Sequence, residues 1–181
     1  FSKSTHPRVW ISRHKPWAFM EIICRFFDSR EGTFLRNQTM NPEFSGIERR
    51  LEKLNECLKK LEVLQGKSKE ELLADTYLQD IVERNFQVLA QAIIDIANRI
   101  ISLEDLEKPR DYYEAILRLG HGGIIPANFA KKLAPLAGFR NILVHDYLEL
   151  DWDEVYENLQ SLDDIHAFLA MIKTWLSDRQ R

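Results

Sequence analysis

The sequence predicts an all-α protein, an up-and-down bundle of about five helices. Gly and Pro are scarce, with 7 and 6 in 181 residues, which disfavours turn-rich β folds. Long stretches place apolar residues three and four positions apart, the spacing of one helix face. No stretch gives a convincing strand pattern, and the 45% hydrophobic and 29% charged content is that of an ordinary globular domain.

Two long apolar patterns predict the first two helices. The first helix begins near Ile47 and ends near Gly66. The second is predicted to begin at Ser68, which has the capping-box spacing with Glu71, and to continue to about Leu103. The predicted inward face of the first helix consists of Ile47, Leu51, Leu54, Leu58, Leu61 and Leu64.

Shorter helices are predicted after Pro109, which breaks the long pattern. Asp111 can cap a helix through Leu119, and Pro126 suits the first turn of another. Between them lies a glycine-rich turn that contains His121, which we interpret as a hinge or turn rather than a phosphate-binding loop.

Pro135 is expected to interrupt or kink the next helix, and to push Ala134 away from helical dihedral angles. A helix from about Pro135 to Tyr147 follows. Asp151 and Glu154 repeat the capping spacing and open a single last helix. Its predicted apolar face consists of Val155, Leu159, Leu162, Ile165, Phe168, Leu169, Ile172 and Leu176.

The charge distribution separates residues 1–39 from residues 40–181. The first segment holds seven Lys/Arg against three Asp/Glu, a balance of +4, and the second holds 18 against 25, a balance of −7. Residues 1–39 also lack a sustained period. We interpret them as an extension of uncertain status, either a non-native start or an arm that binds RNA or packs on the body. In the acidic body, any RNA contact must be a local cationic patch.

Composition also bounds the cofactors and the compartment. Cys24 and Cys57 are too few for a disulfide framework or a zinc site. We therefore expect free thiols, a cytoplasmic protein, no metal and no cofactor. We also expect no membrane span, because no apolar run approaches the roughly 20 residues that a bilayer requires.

One segment carries residues suited to phosphodiester chemistry. Arg140, four further residues, His145, one residue and Tyr147 lie near the end of a predicted helix. Arginine offers a planar fork of donors for phosphate oxygens, and histidine exchanges a proton near neutral pH. On one straight helix Arg140 and Tyr147 lie about 20° apart, but His145 lies about 140° from Arg140. The three converge if the helix bends or if two copies meet across a two-fold axis, which predicts a homodimer.

Spacing alone leaves a structural interpretation open. Arg140 can pair with a carboxylate, and Tyr147 can lie at the edge of the core. A lone histidine on a helix, such as His145, is usually a surface or capped residue. We interpret His166, on the last predicted helix, as a packed or surface histidine.

The motif and its context resemble the HepT branch of the HEPN superfamily, whose signature is Arg-x4-His-x-Tyr. The lead-in 136–139, the exit 146–148 and the stretches 82–87 and 94–97 fit the same branch. The resemblance covers about 40–181. It implies a homodimeric helical bundle that acts as a metal-independent endoribonuclease, the toxin of a toxin–antitoxin pair.

The resemblance also implies roles for individual residues. The partner would be an MntA-type nucleotidyltransferase antitoxin, which transfers AMP to Tyr147. For cleavage we hypothesise, from side-chain chemistry, that His145 acts as acid or base while a ribose 2′-hydroxyl attacks the adjacent phosphate. Arg140 would stabilise charge on the phosphate oxygens, with Asn141 as a supporting donor. Glu83, Arg84 and Asp95 on the long predicted helix are candidates to contact these side chains, or they are solvated or structural charges.

Two alternatives remain. The chain can be a non-catalytic subunit of a two-chain nucleotidyltransferase, which binds a nucleotide or substrate with the same side chains. It can also be a purely structural helical dimer.

Overall fold

The computed structural model describes residues 44–145 and 150–180, apart from the side chains of residues 144 and 145. Within these ranges the chain is helical and contains no strand, which confirms the all-α prediction. The segment 1–39 and its interpretation lie outside the described residues. The helices are α1 (Ser45–Gln65), α2 (Lys69–Ala74), α3 (Thr76–Leu103), α4 (Tyr112–His121), α5 (Ala127–Leu133), α6 (Leu136–His145), α7 (Trp152–Gln160) and α8 (Asp163–Arg179).

The first helix, α1, packs against α3 along the predicted face. All six residues of that face are buried, from Ile47 at its start to Leu64 at its end. Burial of large aliphatic side chains contributes about 1.5–3 kcal/mol each before the loss of chain entropy is counted. This pair of helices is therefore the centre of the bundle.

The second predicted helix is two helices, because the chain breaks at Asp75. Ser68 and Glu71 form the predicted capping box at the start of α2. Asp75 then adopts an extended backbone (φ −124°, ψ 103°), and its carboxylate accepts hydrogen bonds from the amides of Tyr77 and Leu78. Aspartate favours this position because its side chain satisfies amides that a helix start leaves free. The uninterrupted helix predicted from Ser68 to Leu103 was therefore wrong.

The turn between α4 and α5 brings two helices into close contact. Asp111 caps α4 as predicted, and its carboxylate accepts a hydrogen bond of 2.7 Å from the amide of Glu114. Gly123 has a positive φ of 69°, which glycine adopts without strain. At Gly120, a Cβ atom would lie 2.7 Å from the Cβ of Ala130, so this position admits only glycine without a shift of α5.

The expectation that Pro135 pushes Ala134 away from helical dihedral angles was wrong. Ala134 keeps helical dihedral angles (φ −55°, ψ −35°), although a following proline disfavours them. The predicted interruption is nevertheless present, because α5 ends at Leu133 and α6 begins at Leu136. The carbonyl of Pro135 accepts from the amide of Phe139, so this proline lies at the start of α6, where its missing N–H is harmless.

The predicted single last helix is also two helices. α7 ends at Gln160, Ser161 has φ −123° and ψ 69°, and α8 begins at Asp163. The apolar residues predicted for this region are all buried. The prediction missed the break because the apolar pattern continues in phase across it.

Among the described residues, one helix, α3, is long and apolar enough to cross a membrane by length and composition alone, although it contains no continuous apolar run of about 20 residues. α3 has 28 residues, and an 18-residue window within it has a mean hydropathy of 1.3. Of that window, 56% is buried inside the structure. The core helix of a globular bundle passes the same test, so a single helix of this kind is weak evidence for a membrane span.

Candidate functional site

A polar cleft of about 460 Å³ lies where α1, α3 and α6 meet. α1 contributes one polar edge, and α3 contributes side chains spaced three and four residues apart from Arg84 to Asp95. The amide-bearing residues Gln87 and Gln91 lie between those two. The cleft therefore follows the outer face of the same two helices whose inner faces form the core.

The cleft is cationic although residues 40–181 carry a net negative charge. Its lining includes one carboxylate, Asp95, against five cations, Arg49, Arg50, Lys53, Arg84 and Arg140. Cations gathered in one concave surface concentrate positive potential and attract phosphate groups. This is the local patch that the charge distribution of the sequence required for any contact with RNA.

Arg140 enters the cleft from α6 and is held from three sides. Its Nε donates a hydrogen bond of 3.0 Å to Oε1 of Gln91. Its Nη1 lies 3.3 Å from Oδ1 of Asn141, and the guanidinium carbon lies 5.7 Å from the centroid of the Tyr112 ring. A guanidinium has five N–H donors, so these contacts leave donors for a phosphate.

The contact with Gln91 extends into a chain of polar groups. Nε2 of Gln91 donates to Oδ1 of Asp95 at 2.8 Å. Oδ2 of Asp95 accepts from Nε of Arg50 at 3.3 Å, and Nη1 of Arg50 donates to the carbonyl of Gly46 at 2.8 Å. The orientation of Arg140 is thus linked through α3 to α1.

A second pair of contacts ties α3 to α6. Nη1 of Arg84 donates to Oε1 of Gln87 at 2.5 Å, and Nε2 of Gln87 lies 3.5 Å from the carbonyl of Leu143.

Across the cleft, Lys53 forms a salt bridge of 3.0 Å with Glu56. The hydrogen bond to that carboxylate raises the pKa of Lys53, so its ammonium group stays charged.

The predicted site residues fall into two groups. Arg84, Asp95 and Arg140 line the cleft, and Asn141 contacts Arg140. His145 is the last residue of α6; its side chain, and all of Tyr147, lie outside the described residues. The convergence of Arg140, His145 and Tyr147 therefore stays a prediction.

Glu83 does not line the cleft. Burial raises the pKa of its carboxyl group, and Asp80 adds a smaller effect in the same direction. Nε2 of His166 lies 2.8 Å from Oε1 of Glu62, and the residue is exposed, as expected for a surface histidine. Among the described residues, no group of three or more His, Cys, Asp or Glu could hold a metal ion.

Sequence reasoning missed Gln91 and the cations of α1. Gln91 contacts Arg140 across 49 positions of sequence, a separation that no local pattern reveals. Arg49 and Lys53 were readable as one polar face of α1, because residues four apart are neighbours on a helix. Nothing in the sequence indicated that this face borders the motif.

The chain is similar in sequence to known proteins of one family. The model of a family described as ribonuclease HepT-like matches residues 47–172. A tRNA nuclease HepT from Aphanizomenon flos-aquae is 33% identical over 131 residues, which are 72% of this chain and 89% of the relative. An mRNA nuclease HepT from Shewanella oneidensis is 33% identical over 121 residues, 66% of this chain and 90% of the relative.

One solved structure is also similar to this chain in fold and sequence. It is a tri-AMPylated HEPN toxin from Shewanella oneidensis in complex with an MNT antitoxin. The TM-score is 0.66 at 31% identity, and the match covers 72% of this chain and 98% of the toxin chain.

Proposed function

The chain belongs to the ribonuclease HepT-like family, and we propose that it is the endoribonuclease toxin of a toxin–antitoxin pair, acting on RNA in the cleft that contains Arg140. The relatives named tRNA nuclease and mRNA nuclease support RNA as the substrate class. The relative bound to an MNT antitoxin supports the pairing.

The observation that carries the proposal is the arrangement of Arg140 in the cationic cleft. Gln91 fixes its Nε, which aims the remaining N–H groups instead of leaving the side chain free to rotate. A guanidinium held in this way can donate two parallel hydrogen bonds to phosphate oxygens. Fixed donors stabilise charge that develops in a transition state without reorganisation at that moment.

The proposed reaction is transesterification within the RNA strand. The 2′-hydroxyl oxygen attacks the adjacent phosphorus, and the bond from phosphorus to the 5′-oxygen breaks. A base removes the 2′-hydroxyl proton, an acid protonates the leaving 5′-oxygen, and His145 supplies these functions. Arg140 stabilises the phosphate oxygens, with Asn141 in support. The products are a 2′,3′-cyclic phosphate and a 5′-hydroxyl, and no step uses a metal ion.

A homodimer completes the proposed site. His145 and Arg140 are about 140° apart on an ideal helix, so one straight α6 presents them in different directions. A two-fold axis near the end of α6 would bring the histidine of one copy toward the arginine of the other. Two histidines near one cleft would also allow separate groups to act as base and acid.

Silencing by the antitoxin would also depend on charge at the site, because added negative charge repels the RNA phosphate. We propose that an MntA-type nucleotidyltransferase transfers AMP from ATP to the hydroxyl of Tyr147, with release of pyrophosphate. The tri-AMPylated relative supports this chemistry. Each added nucleotide brings bulk and a negative charge two residues from His145, which opposes the entry of an RNA phosphate. The expected compartment of both partners is the cytoplasm.

The test compares cleavage of RNA by the purified, unmodified protein and by His145→Ala, both in the presence of a chelator. We expect cleavage by the parent alone. If neither protein cleaves, the parent binds a nucleotide and mass spectrometry shows Tyr147 unmodified, the endoribonuclease proposal is overturned in favour of the nucleotide-binding subunit.

A further inference from the structure

Helices α1 and α3 bring cations to the cleft that the proposed chemistry at Arg140 does not use. Arg49 and Lys53 lie four residues apart on α1, and Arg84 lies near the start of the cleft face of α3. These residues lie outside the Arg-x4-His-x-Tyr motif, and a single phosphate bound at Arg140 needs none of them.

The order of contacts places Arg84 away from Arg140 along the cleft. Arg140 contacts α3 at Gln91, and Arg84 lies seven residues earlier on the same helix. At 1.5 Å per residue, this is about 10 Å along the helix axis. The separation is large enough for Arg84 to hold a different phosphate from the one at Arg140.

Two of these cations lack a carboxylate partner among the described residues. Arg84 donates to the neutral amide oxygen of Gln87, and Arg49 donates to the carbonyl of Ser45 at 3.4 Å. By contrast, Arg50 is paired with Asp95 and Lys53 with Glu56. The positive charge that the cleft offers to a ligand is therefore concentrated at Arg49, Arg84 and Arg140.

We propose that Arg49 and Arg84 bind backbone phosphates of the RNA strand beside the one at Arg140, and so form a phosphate track on α1 and α3. The inference rests on the proposed function. Contacts to backbone phosphates position a strand but carry no sequence information. The track therefore sets how tightly RNA is held, and it leaves the choice of cleavage position to other contacts.

Both arginines are exposed, so their replacement tests binding without removing core packing. The test uses the full-length unmodified chain, with Arg49→Ala/Arg84→Ala as the variant. Lys131→Ala/Lys173→Ala is the matched control, because it removes two exposed lysines that do not line the cleft. Circular dichroism and thermal unfolding check that each protein folds.

The first probe is a single-stranded 2′-O-methyl oligonucleotide of roughly ten nucleotides, which has no free 2′-hydroxyl and stays intact. Its affinity is measured against salt concentration. For single strands, each phosphate contact adds about 0.7 to the slope of log K against log salt. The double arginine variant should therefore lose about 1.4 from the slope, and at low salt it should bind roughly tenfold more weakly or worse. The lysine control should match the parent.

The second readout is cleavage of ordinary RNA. We expect the double arginine variant to raise KM and leave kcat nearly unchanged, to the same extent for RNAs of different sequence. If the parent cleaves RNA and the variant keeps the parental slope and KM, the track is overturned while the proposed function stands. If the double arginine variant loses about 1.4 from the slope relative to the parent but the parent cleaves nothing, endoribonuclease activity is overturned and the phosphate track stands. Failure of the parent to bind the probe at low salt overturns the track.

Discussion

Arg140 and Gln91 form a hydrogen bond of 3.0 Å, from Nε of the arginine to Oε1 of the glutamine. The bond joins α6 to α3, and Gln91 is itself held by Asp95. A side chain with this many rotatable bonds would otherwise sample many orientations. We infer that Gln91 is a positioning residue, because it would act on RNA cleavage only through Arg140.

Replacing Gln91 by leucine should reduce kcat more than it raises KM. Misplacement of a catalytic group by about 1 Å can cost on the order of a hundredfold, so we expect a loss of roughly tenfold to a hundredfold. Gln79→Leu is the matched control on the same helix, because the side chain of Gln79 donates to the carbonyl of Leu73 and does not line the cleft. Equal rates for the two variants would argue against a positioning role.

Replacement of Arg140 should show how much of its effect on cleavage comes from its positive charge and how much from the planar shape of the guanidinium. Arg140→Ala should lower the rate of RNA cleavage by about a hundredfold to a thousandfold, as removal of a transition-state donor does elsewhere. Arg140→Lys keeps the charge but loses the planar fork and the Nε donor to Gln91, so it should recover only a small part of the rate. Full activity of Arg140→Lys would mean that Arg140 acts as a point charge only.

Substitution by alanine should change the free energy of unfolding in opposite directions at two glycines, Gly120 and Gly138. At Gly120 a new Cβ would lie 2.7 Å from the Cβ of Ala130 and 3.1 Å from the Cα of Ala127, and overpacking of this kind costs about 1–3 kcal/mol. At Gly138, within α6, a new Cβ meets nothing within 4 Å, so alanine should stabilise the helix by about 0.5–1 kcal/mol. Urea unfolding measures both. A stable Gly120→Ala protein would contradict the close contact of α4 and α5.

Glu83 should make stability depend on pH. Burial raises the pKa of its carboxyl in the folded protein, so folding favours the protonated form. Its contribution is fully present below the pKa of the unfolded chain, and it is lost as pH rises through the raised pKa of the folded protein. Glu83→Gln should therefore unfold at a higher temperature than the parent at neutral pH and at a similar temperature in acid. A constant difference across pH would refute this origin.

The inward faces of the helices were predictable because burial repeats along the sequence. Every apolar residue proposed for α1 and for the last region is buried. The break at Ser161 was missed, since apolar residues keep their three- and four-residue spacing across it. At Asp75 the buried residues on either side, Leu72 and Leu78, are six positions apart, a gap too short to separate two helices by pattern alone. A short interruption costs few core contacts, so hydrophobic periodicity alone does not show it.

The candidate site was only partly predictable. Arg140 and Asn141 are adjacent in sequence, and the motif with its family resemblance marked both. Gln91, Arg49 and Lys53 join them only because α1 and α6 both pack on α3. Such contacts depend on tertiary packing, which a local motif does not encode.

Attack by the 2′-hydroxyl is tested by identifying the RNA ends that the unmodified protein produces in the presence of a chelator. We expect a 2′,3′-cyclic phosphate on one fragment and a 5′-hydroxyl on the other, both formed about a hundredfold to a thousandfold more slowly by Arg140→Ala. Fragments with a 5′-phosphate, formed only when magnesium is supplied, would contradict attack by the 2′-hydroxyl and with it the roles of Arg140 and His145.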